Sequence, residues 1–349
     1  MKRHLLFSLF LALALVFSGC TLPTLPPGIF TTTGGGGEDT PSAPPYDEDT
    51  TSYGFYYDQL GANEKAVYRA IYKGARAGID LPFSLFEPLL IKSDEEGGTQ
   101  AVTNAVRGII QPAMDALAYD HPEIAWIAYG GEDGSSFSIS TRTKQDESGD
   151  KITEVASLTF ILALKAPIAS VEDIASFEGE MNAVLDAMLA ESAAAESRYE
   201  RLALLQQALC ARVVYDKTGA RVHEAAGALI DGAAVCDGYA KAFKILCDRA
   251  GIPCVVVAGT AMQSDTAEPH AWNYVQMENG LWYAVDTTWN DDGDSAAGDY
   301  FLLGAMSAPL PGRAPFALSH LPDGKFSAGE YEPFLFPVLS DTRYLPFVG

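Results

Sequence analysis

The chain has 349 residues, 48% of them hydrophobic, with 46 acidic against 23 basic side chains and a formal net charge of −23. That is enough apolar material for packed cores in two units, and it excludes disorder throughout. The negative charge repels phosphate backbones and anionic lipid headgroups, so nucleic acid is not an expected partner.

Residues 1–20 begin with Lys2, Arg3 and His4, continue in an unbroken apolar and small-residue run, and end in Val16-Phe17-Ser18-Gly19-Cys20. A basic start before an apolar run too short for an ordinary membrane span is the pattern of an export signal. Small residues just before a cysteine resemble the lipobox of bacterial lipoproteins, which implies that Cys20 becomes the lipidated first residue of the mature chain. The expected location is therefore extracytoplasmic, tied to the bacterial cell membrane through the Cys20 lipid alone. Residues 21–52 are rich in Pro, Thr, Gly and acids, including Gly34 to Gly37 and Pro44-Pro45, and read as a disordered spacer. The four glycines have no following strand, lysine or helix start, so they do not read as a phosphate-binding loop.

A smaller N-terminal α+β unit of unassigned role is expected over residues 53–170. It opens with a helix over 63–77 and a second over 99–118, where Val102, Val106, Ile109, Ile110, Met114 and Leu117 recur at steps of three and four. A kink is expected at Pro112. Apolar runs at 124–129, 136–143 and 154–165, separated by Gly130-Gly131 and a polar turn at 145–150, predict a small antiparallel sheet. His121, beside Pro122, reads as a loop residue, since no motif places a second titratable partner with it. A second unit, 171–349, begins with two helical stretches carrying Val171, Ile174, Met181, Leu185 and Met188, then Tyr199, Leu202, Leu209 and Val213.

The chemistry gathers next. Gly251 and Pro253 stop a helix whose apolar face is Tyr239, Phe243, Leu246, Cys247 and Ala250, and whose first turn holds Cys236. Unpaired N–H groups at a helix start favour a thiolate, the nucleophilic form of cysteine. Cys210, Cys247 and Cys254 sit inside apolar periodic runs and read as buried core thiols. Their spacing selects no disulfide, and without a CxxC pair they suggest no zinc site.

A strand at 254–258, a polar loop through Gln263, Asp265 and Glu268, and a hairpin of 270–277 and 281–289 follow. For Asp286 to hold the ring of His270, both even-numbered residues must share one face, so the turn must contain three residues. Glu278, Asn279 and a left-handed Gly280 meet that requirement, pairing Met277 with Leu281 and placing His270 diagonal to Asp286. Cysteine, histidine and aspartate in this arrangement suit a thiol nucleophile: His270 holds and delivers the proton, and Asp286 fixes its tautomer.

Val235-Cys236-Asp237-Gly238-Tyr239-Ala240, Gly251-Ile252-Pro253, His270-Ala271-Trp272-Asn273 and Trp282-Tyr283-Ala284-Val285-Asp286-Thr287-Thr288-Trp289 lie within residues 215–303. Together they resemble the three signature blocks of the transglutaminase-like superfamily, particularly its bacterial secreted members. The resemblance implies a papain-like α+β core, a nucleophile helix packed on an antiparallel sheet, a triad of Cys236, His270 and Asp286, and acyl transfer through a thioester. It implies no cofactor and no metal, since the calcium-binding segments of animal relatives are not recognisable. The expected substrate is a peptide or protein, cell-wall-associated ones included, attacked at peptide, isopeptide or glutamine amide bonds. The competing reading is an inactive module of the same fold that binds peptide or cell-wall material. The backbone N–H of Cys236 is one expected oxyanion donor and the Tyr215 hydroxyl a candidate second. Trp272 and Trp289 are candidate cleft walls, with plain core packing as the other reading. The acidic run from Asn290 to Asp294 reads as a solvated loop, and His223 and His320 have no motif partner.

Overall fold

The computed structural model describes residues 30–34, 52–92, 98–129, 134–263, 266–291, 298–327 and 331–346. The leader, Cys20 and most of the spacer lie outside these residues, as do Gly130-Gly131, Asp265 and the 292–294 part of the acidic run. One piece of the spacer is a strand, β1 (Phe30–Gly34), which corrects the reading of that segment as structureless. Three consecutive β-branched threonines suit an extended backbone, a local preference that the composition of the whole segment hides.

Helix α1 (Ala62–Ala77) buries Val67, Ile71 and Ala75 along one stripe and ends at Gly78, whose φ of +65° is the left-handed stop that glycine takes without strain. Two short strands absent from the sequence reading follow, β2 (Leu81–Phe83) and β3 (Leu89–Lys92). Helix α2 (Gly98–Asp120) then continues through Pro112 to Asp120. Strands β4 (Ser136–Gln145) and β5 (Lys151–Ile161) form an antiparallel hairpin, its turn held by Asp146 Oδ1 accepting from the Ser148 and Asp150 N–H groups, 2.9 Å each. The sheet runs β1-β4-β5-β2, with β1 parallel to β4 and β3 also paired to β5. The run at 124–129 is not a full strand. It makes only the bridges Ile127 to Leu164 and Tyr129 to Ser135, while Trp126 turns into the core and donates its indole N–H to the Ala75 carbonyl at the end of α1, 3.2 Å.

Helices α3 (Val171–Glu191) and α4 (Arg198–Arg212) each start at a serine whose hydroxyl accepts a first-turn N–H, Ser170 from Asp173 and Ser197 from Glu200. Strand β6 (Val214–Tyr215) runs parallel to β7 (Ala233–Ala234) just before α5 (Cys236–Arg249). Helix α5 packs on β8 (Cys254–Gln263) and β9 (Thr266–Gln276), which are followed by β10 (Trp282–Val285), the single turn α6 (Phe316–Ser319) and β11 (His320–Pro322). The second sheet is antiparallel in the order β10-β9-β8-β11. Its β8–β9 ladder reaches Gln263 opposite Thr266, so the segment expected as a polar loop is paired strand on both sides. Backbone hydrogen bonds extend it past the apolar core, where no side-chain alternation marks it.

The chain is α+β, and the two units divided near residue 170 share one apolar cluster running from Tyr56 to Phe334. Polar ties cross it. Asp115 of α2 accepts from Ser327 Oγ and Tyr331 OH, 2.6 Å each, and Asp120 accepts from the backbone N–H groups of Tyr56 and Tyr57 at 3.0 and 2.8 Å. Tyr56 in turn donates its hydroxyl to the Val256 carbonyl of β8.

Burial pushes Asp115 up to about 6, against hydrogen bonds from Ser327, Tyr331 and Gln111 that pull it down. Its folded value thus lies above the ordinary ~3.9, so its contribution to stability is largest below about pH 4 and is lost as pH rises through the folded value. Asp115→Asn cannot ionise and is expected to gain melting temperature relative to the wild type as pH rises from about 4 to about 7. Thermal melts of the two proteins across that range test this; a difference independent of pH would show that the carboxyl does not titrate there.

Candidate active site

Cys236 is the first residue of α5, after an extended Val235 whose N–H bonds to the Val222 carbonyl at 3.0 Å. The 222–224 segment crosses so close that a Cβ on Gly238 would lie 2.5 Å from the Val222 carbonyl oxygen, which accounts for glycine two residues after the thiol. Farther along α5, Asn273 of β9 donates to the Ala240 carbonyl at 2.9 Å. The strand alternates. Ala271, Asn273 and Val275 turn to α5, while Trp272 and Tyr274 turn to the other side, where Phe316 and Leu303 cover them.

The hairpin has the three-residue turn that the parity argument requires. Met277 donates to the Leu281 carbonyl at 3.0 Å, Gly280 has φ +75°, and the pairing continues from Trp282 opposite Gln276 to Val285 opposite Asn273. His270 Nε2 then lies 2.7 Å from Asp286 Oδ2. Asp286 is fully buried, and its Oδ1 accepts from the Thr288 and Trp289 N–H groups at 3.0 and 3.1 Å. With Nε2 engaged, Nδ1 remains for Cys236, and the thiol and ring are hydrogen-bonded.

Electrostatics follow from this geometry. Burial disfavours the His270 imidazolium, but the Asp286 carboxylate, and after it Cys236, outweigh burial and the ring is pushed up to about 10. Burial likewise works against the Asp286 carboxylate, yet the charge and hydrogen bond of His270, followed by those of His320, hold it well below the usual range. Cys210 is a contrast. Its thiol is pushed up to about 12 by burial and by Asp291 and Asp286, and it donates to the Thr287 carbonyl at 3.6 Å.

Residues 187–287 match the transglutaminase-like superfamily. That segment is a transglutaminase-like domain. Kyphoscoliosis peptidase from mouse is 37% identical over 99 residues, which are 26% of this chain and 15% of the mouse protein. The chain thus spans well under a fifth of that relative's length. Among solved structures, a transglutaminase overlays 60% of this chain and 53% of its own with a TM-score of 0.31 at 14% identity. The periplasmic domain of TgpA from Pseudomonas aeruginosa overlays 43% and 65% with a TM-score of 0.25 at 18% identity.

In the transglutaminase-like domain Cys236 and His270 line a cleft of about 740 Å³, with Asp286 behind the ring. Tyr215 and Trp289 line it too; the Trp289 ring stacks on His270 with centroids 5.0 Å apart, and the Tyr215 side chain is half exposed. Trp272 does not wall the cleft. It is fully buried in the cluster of Val255, Val257, Tyr274 and Phe316, because the sheet face it occupies is covered by α6, an element far downstream of the hairpin. The acidic run also needs correcting at its start. Asn290 is buried, donating to Gln206 Oε1 and accepting from the Tyr300 N–H, 2.9 Å each, and Asp291 accepts from the Tyr239 hydroxyl.

His320, without a motif partner in the sequence, is part of the site. Its Nε2 lies 3.3 Å from Asp286 Oδ2, and its ring is fully buried. Strand β11 brings it there by pairing with β8, His320 opposite Ala261 and Pro322 opposite Gly259. A Cβ on Gly259 would meet the Leu321 carbonyl oxygen at 2.1 Å, so the close approach of β11 depends on that glycine. His270, Asp286 and His320 bring metal-ligand types of atom within 4.8 Å of one another. Two imidazole N–H groups converging on one carboxylate oxygen account for that closeness.

Proposed function

We propose that the chain is a thiol enzyme that cleaves or transfers acyl groups at peptide, isopeptide or glutamine amide bonds. The observation that carries this reading is the His270 ring held between Asp286, at 2.7 Å, and the Cys236 thiol. The Cys236 thiolate attacks the amide carbonyl carbon while the His270 imidazolium, favoured by Asp286, protonates the leaving nitrogen. A thioester and a free amine or ammonia result. His270, now neutral, removes a proton from the entering water or amine, which attacks the thioester and restores the thiolate with the imidazolium. The Cys236 backbone N–H and the Tyr215 hydroxyl are the proposed donors to the oxyanion, Tyr215 because it shares the cleft with the thiol. The substrate is a peptide or protein, and the proposed location is outside the cytoplasm, on the reading of residues 1–20 as a leader ending at a lipidated Cys20. Among the described residues no helix is long and apolar enough to cross a membrane.

Site-resolved alkylation of Cys236 by iodoacetamide across pH tests the proposal. The wild type is expected to label rapidly well below the ordinary thiol value of about 8.5, and His270→Ala to return the onset to that value. Identical profiles for the two proteins would remove the basis for an activated thiol and favour a binding module.

A further inference from the structure

Asp286 can only accept, so whichever imidazole nitrogen faces it carries a proton. For His320 that nitrogen is Nε2, 3.3 Å from Asp286 Oδ2, and the opposite one, Nδ1, lies 2.9 Å from Ser319 Oγ. Both nitrogens of this buried ring are thereby engaged, and its place is fixed by its neighbours. Phe316 stacks on it with centroids 4.0 Å apart at 11°, while Trp289 and Trp272 stand edge-on at 4.6 and 5.0 Å. A polar ring among aromatic side chains costs stability unless its hydrogen bonds are made, and a phenyl ring would fill the same space without that cost. The cost falls on the carboxylate behind the base. Asp286 Oδ1 is held by two backbone N–H groups, and Oδ2 receives the N–H of His270 and that of His320.

We propose that His320 is a positioning residue for the acyl-transfer chemistry: its Nε2–H pins Asp286 Oδ2 and thereby holds the His270 ring against the Cys236 thiol. The inference rests on the thiol-enzyme reading and extends it beyond the matched segment, which ends at residue 287, to a strand 33 positions further on. Burial pulls His320 below the ordinary histidine value against the opposing pull of Asp286, so the ring serves as a neutral donor and leaves the imidazolium charge to His270.

Alkylation of Cys236 by iodoacetamide in the full chain, resolved from the other cysteines by peptide mapping, tests this with two variants. His320→Gln keeps an N–H donor near the position of Nε2; His320→Phe keeps the stack on Phe316 and has no donor. Loss of one hydrogen bond to a buried charge predicts labelling of the His320→Phe variant slowed on the order of 10- to 100-fold near neutral pH. The His320→Gln variant is expected within about threefold of the wild type, since its donor survives. Equal slowing of both variants, or wild-type rates in both, overturns the inference. Should His320→Phe fail to fold, Ser319→Ala, which removes the hydroxyl beside His320 Nδ1 and so loosens the ring, is expected to slow labelling by about three- to tenfold. Wild-type kinetics in that variant overturns the inference as well. A wild-type profile indifferent to His270→Ala sinks the enzyme reading and this one with it; a His270-dependent profile that His320→Phe leaves unchanged sinks this one alone.

Discussion

Asp286→Asn is expected to lower turnover by roughly 10³- to 10⁴-fold while leaving the fold in place. Asparagine matches the carboxylate in shape, and its amide oxygen can keep the two backbone hydrogen bonds from Thr288 and Trp289. The loss is chemical. The amide nitrogen then faces His270 Nε2 and donates to it, forcing the ring proton onto Nδ1, so that a neutral ring presents N–H where it must accept a proton. The imidazolium also loses its counter-charge, the strongest influence holding the ring up near 10. Release of ammonia from a glutamine peptide, or incorporation of a primary amine into it, measures the effect; less than a tenfold loss would remove Asp286 from the mechanism. The pair also sets a pH window for stability. Asp286 lies below its ordinary value in the fold, so its contribution is present above about pH 4 and is lost as pH falls lower. His270 lies above its ordinary value, so its share is complete below about pH 6.5 and is lost as pH rises through about 10. The stability advantage of the wild type over Asp286→Asn is therefore expected to fade at both ends of that window.

The second large effect concerns the stretch of chain that matches the family. A fragment of residues 187–287 carries all three proposed triad members and is expected not to fold by itself. Its length of about 100 residues is no obstacle, since domains of that size fold routinely. The obstacle is cover. Phe301, Leu302, Leu303, Phe316, Phe326 and Phe334 are all buried, and all lie outside the fragment, as does Tyr56. At roughly 1.5–3 kcal/mol for each buried side chain, the six alone contribute on the order of 9–18 kcal/mol before entropy is counted. That equals the whole net stability of an ordinary domain, about 5–15 kcal/mol. The fragment should show no cooperative thermal transition and little near-ultraviolet dichroism, whereas residues 53–346 should melt cooperatively. A sharp transition in the fragment would refute the claim that its sheet needs the flanking chain.

These two expectations mark how far sequence reasoning reaches. The ends of α5, the position of Cys236 at its start and the parity linking His270 to Asp286 were all legible because each depends on one element or one turn. Trp272 was not, since its burial depends on Phe316 and Leu303, which arrive from beyond the hairpin. His320 had no signal at all. It sits on a three-residue strand without periodicity, and its role exists only because β11 joins β8 at Gly259. The far end of the β8–β9 ladder reads as loop because Gln263, Asp265 and Glu268 interrupt the apolar pattern there, whereas backbone pairing is what holds it. Conversely, the apolar run at 124–129 reads as strand by composition but is used to close the core over the end of α1.

The ties between the two halves span great lengths of chain. Tyr56 reaches Val256 across 200 positions, Asp115 reaches Ser327 across 212, and Gln59 reaches Leu335 across 276. Contacts so distant form late, because long loops must close before any of them can be made, and chains dominated by them fold slowly. The His320 hydrogen bond to Asp286, by contrast, closes a span of only 34 positions and does not wait on those ties. A chain still emerging from a ribosome lacks the ties to Ser327 and Leu335 until almost its whole length has been made. Slow refolding, with near-ultraviolet dichroism returning only as the two ends of the chain meet, is the expected signature of those ties.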